Sequence, residues 1–482
     1  MKDLALYGVD CAKKYGASYA DIRIIHAKNE GISIRNGQVG GIDRSETLGF
    51  GIRVIVDGAW GFAASSRVEK KEIEKTAKLA CDTARASASL KLKSVKLADE
   101  PVYDEKWQTP YIIDPFKVPL EEKLSLLSKI DEVLRKSDKI KVAHSWMDFF
   151  YEHQYLAISS GTFIDQTLMR SAAGYSATAV DKGEVQRRSY PSSHGGIAKT
   201  AGYEIIRGSD LLENAERIRD EAVALLTAEP CPSGQYDTII DGTQLALQIH
   251  ESCGHAAELD RVLGSEANYA GTSFLTLDKL NKLKYGSKIV NLVIDGTIPG
   301  GLATVGFDDE GVRAGRYYLV KNGLFVGYKT NRELAHIVGE KRSRGCCRAD
   351  GYSNLPMIRQ NNLSLLPGDW DFNALLEDTP GGVYMVNNKS WSIDQQRQNF
   401  QFGCEIAYEI LPGGKLGKIY KNPTYQSNTV QFWNSCDAIC NEDWWRLWGV
   451  LNCGKGQPPQ TAEMSHGAAP ARFRKLTIGI AR

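Results

Sequence analysis

Residues 243–260 read TQLALQIHESCGHAAELD, and this stretch carries the pattern around which the rest of the chain is interpreted. His250 and His255 lie five residues apart, and Glu251 directly follows the first histidine. Two imidazoles can bind a metal ion, and a neighbouring carboxylate can take a proton from metal-bound water. The stretch therefore predicts a helix that carries a metal site with hydrolytic chemistry.

The five-residue spacing does not suit a regular helix. In the familiar zinc-peptidase motif the two histidines are four residues apart. This separation rotates the second side chain by about 400° around the helix axis, so that both lie on nearly the same face. Five residues leave the second ring about 140° away from the first. A single π-type turn absorbs one extra residue, and Gly254 is expected to ease it by adopting unusual backbone angles. We therefore predict a distorted helix here, capped at its start by Thr243.

A catalytic zinc site requires a third protein ligand, and the residue pattern alone leaves its identity open. Cys453 lies in the glycine-flanked loop LNCGKGQPP at 451–459 and is one candidate. Glu258 is another, either as a ligand or, like Asp260, as an acceptor for the far N–H of a ligand histidine. Cys253 lies within the motif but points away from the His250 face of a regular helix.

Four further motifs are less specific. His466, in the sequence Ser-His-Gly, is a candidate for transition-state hydrogen bonding, with a structural role equally open. The acidic run FDDEG at 307–311 could bind a hard cation through oxygens, but charged runs usually face water, which favours a solvated turn. Cys436 and Cys440 lack a matching pair, which favours buried free thiols. The tryptophans in NEDWWRLW, 441–448, suit a substrate-binding wall or simple packing.

Length and composition limit the classes of function. A chain of 482 residues predicts two or three domains. Its 59 basic and 58 acidic residues give no electrostatic case for nucleic acid or an anionic membrane. The N-terminus lacks an apolar signal region, and no apolar run approaches 18 residues. Ten cysteines without paired spacing then favour reduced thiols in a cytoplasmic protein.

The order of predicted elements indicates an α+β fold. We expect an N-terminal mixed sheet-and-helix domain at 1–227, with subdomains at about 1–90 and 110–227. A β-rich domain carrying the metal-binding helix follows at 228–482. The boundary is placed at AEPCPSG, 228–234, because prolines and glycine interrupt regular structure.

Helix periodicity and turn residues define the elements within these domains. The dipeptides Asn36-Gly37 and Asp57-Gly58 separate β-rich runs and predict hairpins. Apolar periodicity predicts helices at 3–16, 67–88, 119–137 and 209–227.

Several separate stretches together resemble the TldD/PmbA family of zinc metallopeptidases, on the TldD side. They are HESCGHAAELD at 250–260, GFDDEGV at 306–312, LPGGKLGKIYKNP at 411–423 and NCGKGQPPQ at 452–460. Near the N-terminus the matching stretches are ADIRI, SIRNGQV and GIRVIVDGAWGFAASS. The resemblance covers nearly the whole chain.

The resemblance implies a zinc peptidase. It implies one zinc ion per active subunit, held by His250, His255 and Cys453, with Glu251 as general base for zinc-bound water. TldE/PmbA-type partners lack the metal motif that this chain keeps, so the chain resembles an active subunit.

The same resemblance implies an assembly and a substrate class. The assembly is a homodimer, or a heterodimer with a TldE/PmbA-like subunit, with a tunnel-like cavity lined by β-strands. The implied substrates are unfolded or extended peptides. The alternative is a non-catalytic peptide-binding or regulatory subunit, in which Glu251 would be dispensable.

Overall fold

The computed structural model describes residues 1–480, and it has the α+β architecture that the sequence predicts. Its N-terminal part is built on one eight-stranded sheet. The strands are β1 (Tyr19–Arg35), β2 (Gln38–Val56), β3 (Ala59–Ser65), β4 (Asp104–Gln108), β5 (Ile140–Ile158), β6 (Phe163–Asp181), β7 (Glu184–Tyr190) and β8 (Ile197–Lys199). Their order is β3-β2-β1-β5-β6-β4, and β7 and β8 also pair with β6.

Tight turns set the register of this sheet. Asn36 and Gly37 adopt φ angles of 50° and 78°, and Asp57 and Gly58 adopt 51° and 74°. Two successive residues with positive φ match the twist of the flanking strands, which is why Asn-Gly and Asp-Gly dipeptides favour hairpins. The two predicted hairpins are confirmed, and they join β1 to β2 and β2 to β3.

Five helices belong to this part of the chain, and those that pack on the sheet all lie on the same face of it. They are α1 (Lys2–Lys14), α2 (Lys70–Ala88), α3 (Leu120–Leu134), α4 (Glu204–Arg207) and α5 (Ala215–Leu225). The helix predicted at 209–227 begins later than expected, because the Asn214 side chain bonds the carbonyl of Asp210 in a turn that competes with helix formation. Helices α1 and α2 pack on β1–β3, and α3 and α5 pack on β5 and its neighbours.

The opposite face of this sheet contacts the C-terminal part of the chain. Arg53 bonds Glu310 at 3.1 Å, and Gln166 donates to the carbonyl of Phe307 at 3.1 Å. Arg23, fully buried, donates to the carbonyl of Asn354. Helices α3 and α5 pack on β5 through the hydrophobic cluster that includes Ala143, Met147 and Phe149, on the face opposite His144.

The C-terminal part holds a second eight-stranded sheet and smaller sheets. The large sheet contains β9 (Glu229–Pro230), β10 (Gly234–Ile240), β17 (Val383–Ile393), β18 (Asn399–Ile410), β19 (Leu416–Lys421), β20 (Pro423–Asn428), β21 (Cys436–Ile439) and β24 (Ala471–Ile480). The smaller sheets contain β11 (Leu292–Asp295), β12 (Arg316–Lys321), β13 (Leu324–Phe325), β14 (Cys347–Arg348), β15 (Met357–Ile358), β16 (Leu363–Leu365), β22 (Arg446–Lys455) and β23 (Gln460–Ala468).

Five strands of the large sheet close on themselves. The pairings run β17-β10-β24-β20-β18, and β18 pairs again with β17. The remaining helices are α6 (Gly242–Gln248), α7 (Leu259–Val262), α8 (Phe372–Glu377) and α9 (Thr429–Asn434). Helix α6 directly follows β10, and Gln244 and Gln248 both bond the buried Tyr425 hydroxyl of β20. This anchoring fixes the helix that leads into the predicted metal site.

None of the helices within residues 1–480 has both the length and the apolar character needed to span a membrane.

Candidate metal centre

The helix that carries the histidine pair is distorted as the spacing predicts. Helix α6 runs directly into a π-helix at Ile249–Gly254 and then into a 3-10 turn at His255–Ala257. The wider π-turn absorbs the extra residue. As a result the rings of His250 and His255 lie on the same side, with centroids 4.8 Å apart.

The start of this helix differs from the prediction. Asp241 is the N-cap, and its carboxylate accepts a hydrogen bond from the backbone N–H of Thr243 at 2.9 Å. The Thr243 hydroxyl donates to the same carboxylate at 2.5 Å. Thr243 therefore lies inside the helix, and the predicted cap is wrong because the preceding aspartate offers the stronger acceptor.

Gly254 is required for a reason other than the one expected. Its φ and ψ of −64° and −58° are ordinary helical angles, so backbone freedom is not what the position needs. A Cβ atom here would lie 1.9 Å from Oε1 of the buried Gln360. The Gln360 Nε2 donates to the His250 carbonyl at 3.0 Å, and Lys329 Nζ donates to the Gly254 carbonyl at 2.7 Å. The His250 carbonyl thus accepts a second hydrogen bond besides the one from the backbone N–H of His255.

Gly254→Ala is therefore expected to weaken metal binding by about 10–100-fold, as loss of an outer-sphere contact does. The methyl group displaces Gln360 and removes its hydrogen bond to the His250 carbonyl. Competition with a chelator measures the affinity. Gly315→Ala is the control, because a Cβ there meets no atom within 4 Å. An unchanged affinity in Gly254→Ala would show that the Gln360 contact does not position the site.

Three side chains in the structure converge into a possible metal-binding group. The ligand atoms of His250, His255 and Cys453 all lie within 4.8 Å of one another, and all three residues are buried. The Cys453 Sγ is 3.4 Å from the His255 Nε2. Cys453 lies on β22, where it pairs with Ala462 of β23. Cys253 packs in the hydrophobic core instead.

Hydrogen bonds determine which nitrogen of His250 is free for a metal. The carbonyl of Leu363 can only accept, so the His466 Nδ1 donates to it at 2.9 Å. The His466 Nε2 is then an acceptor and takes the Nδ1–H of His250 at 2.8 Å. The lone pair of the His250 Nε2 is therefore available to a cation. His466 acts through His250 rather than facing the cavity.

The second histidine is oriented by a carboxylate. The His255 Nδ1 donates to the Glu258 Oε2 at 3.0 Å, which leaves its Nε2 lone pair free beside Cys453. Burial alone would raise the pKa of Glu258, but Lys455 and His255 together hold it well below its usual range. Asp260 bonds Lys455 at 2.8 Å rather than a histidine. Glu258 thus supplies the anion that fixes the tautomer of His255.

The donor set fits zinc. Burial lowers the pKa of His255 to about 3 and that of His250 well below its ordinary value, so both imidazoles are neutral, as metal ligands must be. Burial raises the pKa of the Cys453 thiol to about 11, and a bound dication deprotonates such a thiol. Zinc binds imidazole nitrogen and thiolate sulfur, and catalytic zinc sites combine three protein ligands with an open fourth position, so this donor set fits zinc.

Glu251 faces the same cavity as the three possible ligands. This cavity has a volume of about 410 Å³, and Trp391 and Arg397 also line it. The Glu251 Oε2 accepts a hydrogen bond from Arg397 at 2.8 Å. Burial raises the pKa of Glu251, and the positive charge of Arg397 opposes that rise. The cavity therefore combines a metal-binding group with a carboxylate poised to exchange a proton.

Arg397 was not predicted from the sequence. It lies between β17 and β18, at a φ of 63°, 146 residues away from its partner Glu251. The surrounding residues, DQQRQ at 394–398, match no metal-site motif. The signal available in the sequence was a lone arginine in a polar hairpin turn, which does not reveal a long-range contact.

The acidic run at 308–310 is not a solvated turn, and that prediction is wrong. Asp308, Asp309 and Glu310 are all buried. The Asp308 carboxylate accepts backbone N–H groups of the same turn and of Cys347. Glu310 bonds Arg53 of the N-terminal sheet. Internal hydrogen bonds and an ion pair therefore satisfy the acidic side chains. Through the pair with Arg53, the run connects the C-terminal part of the chain to the N-terminal sheet.

The remaining candidates lie outside the metal cavity. Cys436 and Cys440 are buried free thiols. Trp444 and Trp448 line a separate cavity beside Asp241 and Phe372. Within residues 1–480, His250, His255 and Cys453 form the only cluster of side chains that could together hold a metal ion.

Comparison with known proteins gives one consistent result. Models of the PmbA/TldA metallopeptidase match three successive ranges: domain 1 at 20–84, the central domain at 113–228 and the C-terminal domain at 233–479. A metalloprotease of Methanocaldococcus jannaschii is 30% identical over 427 residues, which are 88% of this chain and 90% of that protein.

Two more distant similarities extend over nearly the whole chain. A zinc metalloprotease TldD homologue of Saccharolobus solfataricus is 24% identical over 97% of this chain and 98% of its own. The crystal structure of TldE from Thermococcus kodakarensis superposes with a TM-score of 0.74 at 16% identity, covering 99% of both chains. At that identity the structural match establishes the fold.

Proposed function

The chain belongs to the PmbA/TldD family of metallopeptidases, and from that premise we propose that it is a zinc-dependent peptidase for unfolded or extended peptides. One observation carries the proposal. Three possible zinc ligands and the carboxylate of Glu251 line a single cavity. Hydrolysis of a peptide bond requires a Lewis acid and a proton acceptor close together.

The residues around the cavity each have a role in this reaction. His250, His255 and Cys453 would hold one zinc ion through Nε2, Nε2 and Sγ. When bound, zinc supplies Lewis acidity and makes water nucleophilic at neutral pH. Glu251 accepts a proton from the attacking water at a carboxylate oxygen and returns it to the leaving amine nitrogen.

Outer contacts keep these groups in position. His466 and Glu258 each accept the Nδ1–H of one ligand histidine, so neither ring can rotate freely. Arg397 binds the Oε2 of Glu251 and leaves its Oε1 free for proton transfer. Because burial excludes bulk water from these contacts, the site is held ready before substrate arrives.

An edge strand beside the cavity supports extended peptides as substrates. Strand β22 pairs only with β23 in a two-stranded sheet, and its residues Val450, Asn452 and Gly454 line the metal cavity. An extended peptide can add to such an edge through main-chain hydrogen bonds. Affinity then depends mainly on the backbone, so we expect broad sequence tolerance.

The proposed assembly is a dimer, formed with a TldE/PmbA-like subunit or with a second copy of this chain. The similarity to TldE supports a fold shared between the two kinds of subunit. A dimer cavity would exclude folded proteins by size. This chain keeps the histidine pair and Glu251, which favours the catalytic role within such a dimer.

Cleavage of one protein in two states tests the substrate class. A reduced and alkylated form should be degraded, whereas the native form should be cleaved at least about 10³-fold more slowly, because only about 10⁻³–10⁻⁶ of it is unfolded at any time. Gel and mass analysis of the digests measures both rates. Comparable rates would contradict the proposal, and so would cleavage that persists after zinc is removed by a chelator.

A further inference from the structure

A second cavity lies on the helix-free face of the N-terminal sheet. Its volume is about 380 Å³, and its polar lining consists of Ser33, Arg35, His144, Ser176, Thr178 and Arg187. Two guanidiniums, one imidazole and three hydroxyls therefore meet in one place. No carboxylate contributes to the lining, so every charged group at the site is a cation.

Strand register brings these side chains together. Arg35 of β1 pairs with His144 of β5, and His144 pairs with Ser176 of β6. In the next row, Thr178 of β6 pairs with Arg187 of β7. Directly paired residues point to the same face of a sheet, and residues two apart along a strand do so as well. Four neighbouring strands thus present one polar surface of fixed geometry.

The cations at this surface have no internal counter-charge. Among the described residues, neither Arg35 nor Arg187 has a side-chain hydrogen bond or an ion pair. Burial lowers the pKa of His144, and Arg187 and Arg35 lower it further, so the three groups lie within electrostatic range. Both arginines are exposed, so this surface keeps an unpaired positive charge. A bound carboxylate would supply the counter-charge through charge-assisted hydrogen bonds.

This basic cavity neighbours the metal cavity. Arg187 lines the basic cavity, and His194, seven residues later in the chain, lines the metal cavity next to Trp391. The segment from β7 to His194 therefore separates the two cavities. Seven residues of extended chain span at most about 25 Å, so an extended peptide of similar length bound at the metal centre is long enough to reach the basic cavity.

We infer that Arg35, His144 and Arg187 form a subsite for a carboxylate group of the peptide substrate. Guanidinium groups bind carboxylates through paired, charge-assisted hydrogen bonds. The hydroxyls of Ser176 and Thr178 supply further donors. The inference rests on the proposed peptidase function, because it places the carboxylate on the peptide that is cleaved. That carboxylate belongs to the C-terminus or to an acidic side chain.

Four versions of one labelled peptide test the subsite and show whether it binds the C-terminal carboxylate or an acidic side chain. They combine a free or amidated C-terminus with an internal Glu or Gln. We expect kcat/KM to be about 10-fold or more higher for the version with the recognised carboxylate, since a hydrogen bond between charged groups is worth about 1.5–3 kcal/mol. Arg35→Gln and Arg187→Gln should each abolish the preference, so that the versions with and without the recognised carboxylate are cleaved with the same kcat/KM. Arg207→Gln, on α4, is the matched control.

Binding provides a readout that does not require cleavage. Fluorescence anisotropy of the same four peptides with the Glu251→Gln protein should show the same preference, and the two arginine variants should lose it. Equal affinity for all four peptides would overturn the inference. A preference that survives both arginine variants would overturn it as well. Selective binding without any cleavage by the wild type would instead contradict the proposed peptidase function and leave the carboxylate subsite intact.

Discussion

Replacing Glu251 by Gln is expected to lower kcat/KM for an unfolded peptide by about 10²–10⁴-fold, the range that general acid–base catalysis contributes. The amide keeps the size of the side chain and can still contact Arg397, but it cannot accept the proton of the attacking water. Glu251 does not belong to the three-residue metal-binding group. The zinc content of the variant should therefore equal that of the wild type.

A second glutamate gives the control for this variant. Glu152 lines a different cavity, and burial raises its pKa to about 7. Glu152 is not among the residues that line the metal cavity, and Gln keeps nearly the same size, so Glu152→Gln should change activity little. If Glu251→Gln retained wild-type activity, the role of this residue as general base would be excluded, and the non-catalytic alternative would be favoured.

Replacing Cys453 by Ala is expected to remove both zinc and activity. The site would keep only two imidazoles, and a catalytic zinc site needs three protein ligands. The loss of affinity should exceed the 10–100-fold that removal of an outer-sphere partner causes. Metal analysis of the purified variant, together with peptide cleavage, measures both effects.

Cys253→Ala is the matched control, because Cys253 lies in the same helix segment but packs in the core. It should retain zinc, with some loss of stability from the small cavity it creates. If Cys453→Ala retained stoichiometric zinc, a different residue would have to be the third ligand. Glu258 would then be the first residue to test, since it already touches His255.

Local patterns predicted the features that depend on neighbours in the chain. The five-residue histidine spacing predicted the π-turn, and Asn36-Gly37 predicted a hairpin, because each depends on backbone geometry within a few residues. The reason for Gly254 was predicted incorrectly. Its requirement comes from Gln360, more than a hundred residues later, and such close packing leaves no local signal.

Contacts between residues far apart in the sequence explain the other differences between the predictions and the structure. The acidic residues at 308–310 have the composition of a solvated turn, yet in the folded chain Glu310 pairs with Arg53, 257 residues away. Arg397 and His466 are likewise assigned by contacts with residues far away in sequence. Cys453 was proposed as the third ligand from the family resemblance, because the pattern alone could not distinguish it from Glu258.

X-ray absorption at the zinc edge tests the central claim most directly, because it reports the atoms bound to the metal. The purified wild-type protein should show one sulfur at about 2.3 Å and two histidine nitrogens at about 2.0–2.1 Å, with a light atom in the remaining position. The sulfur signal should disappear from any residual zinc in Cys453→Ala. A wild-type spectrum with nitrogen and oxygen neighbours and no sulfur would contradict the assignment of His250, His255 and Cys453 as the zinc site.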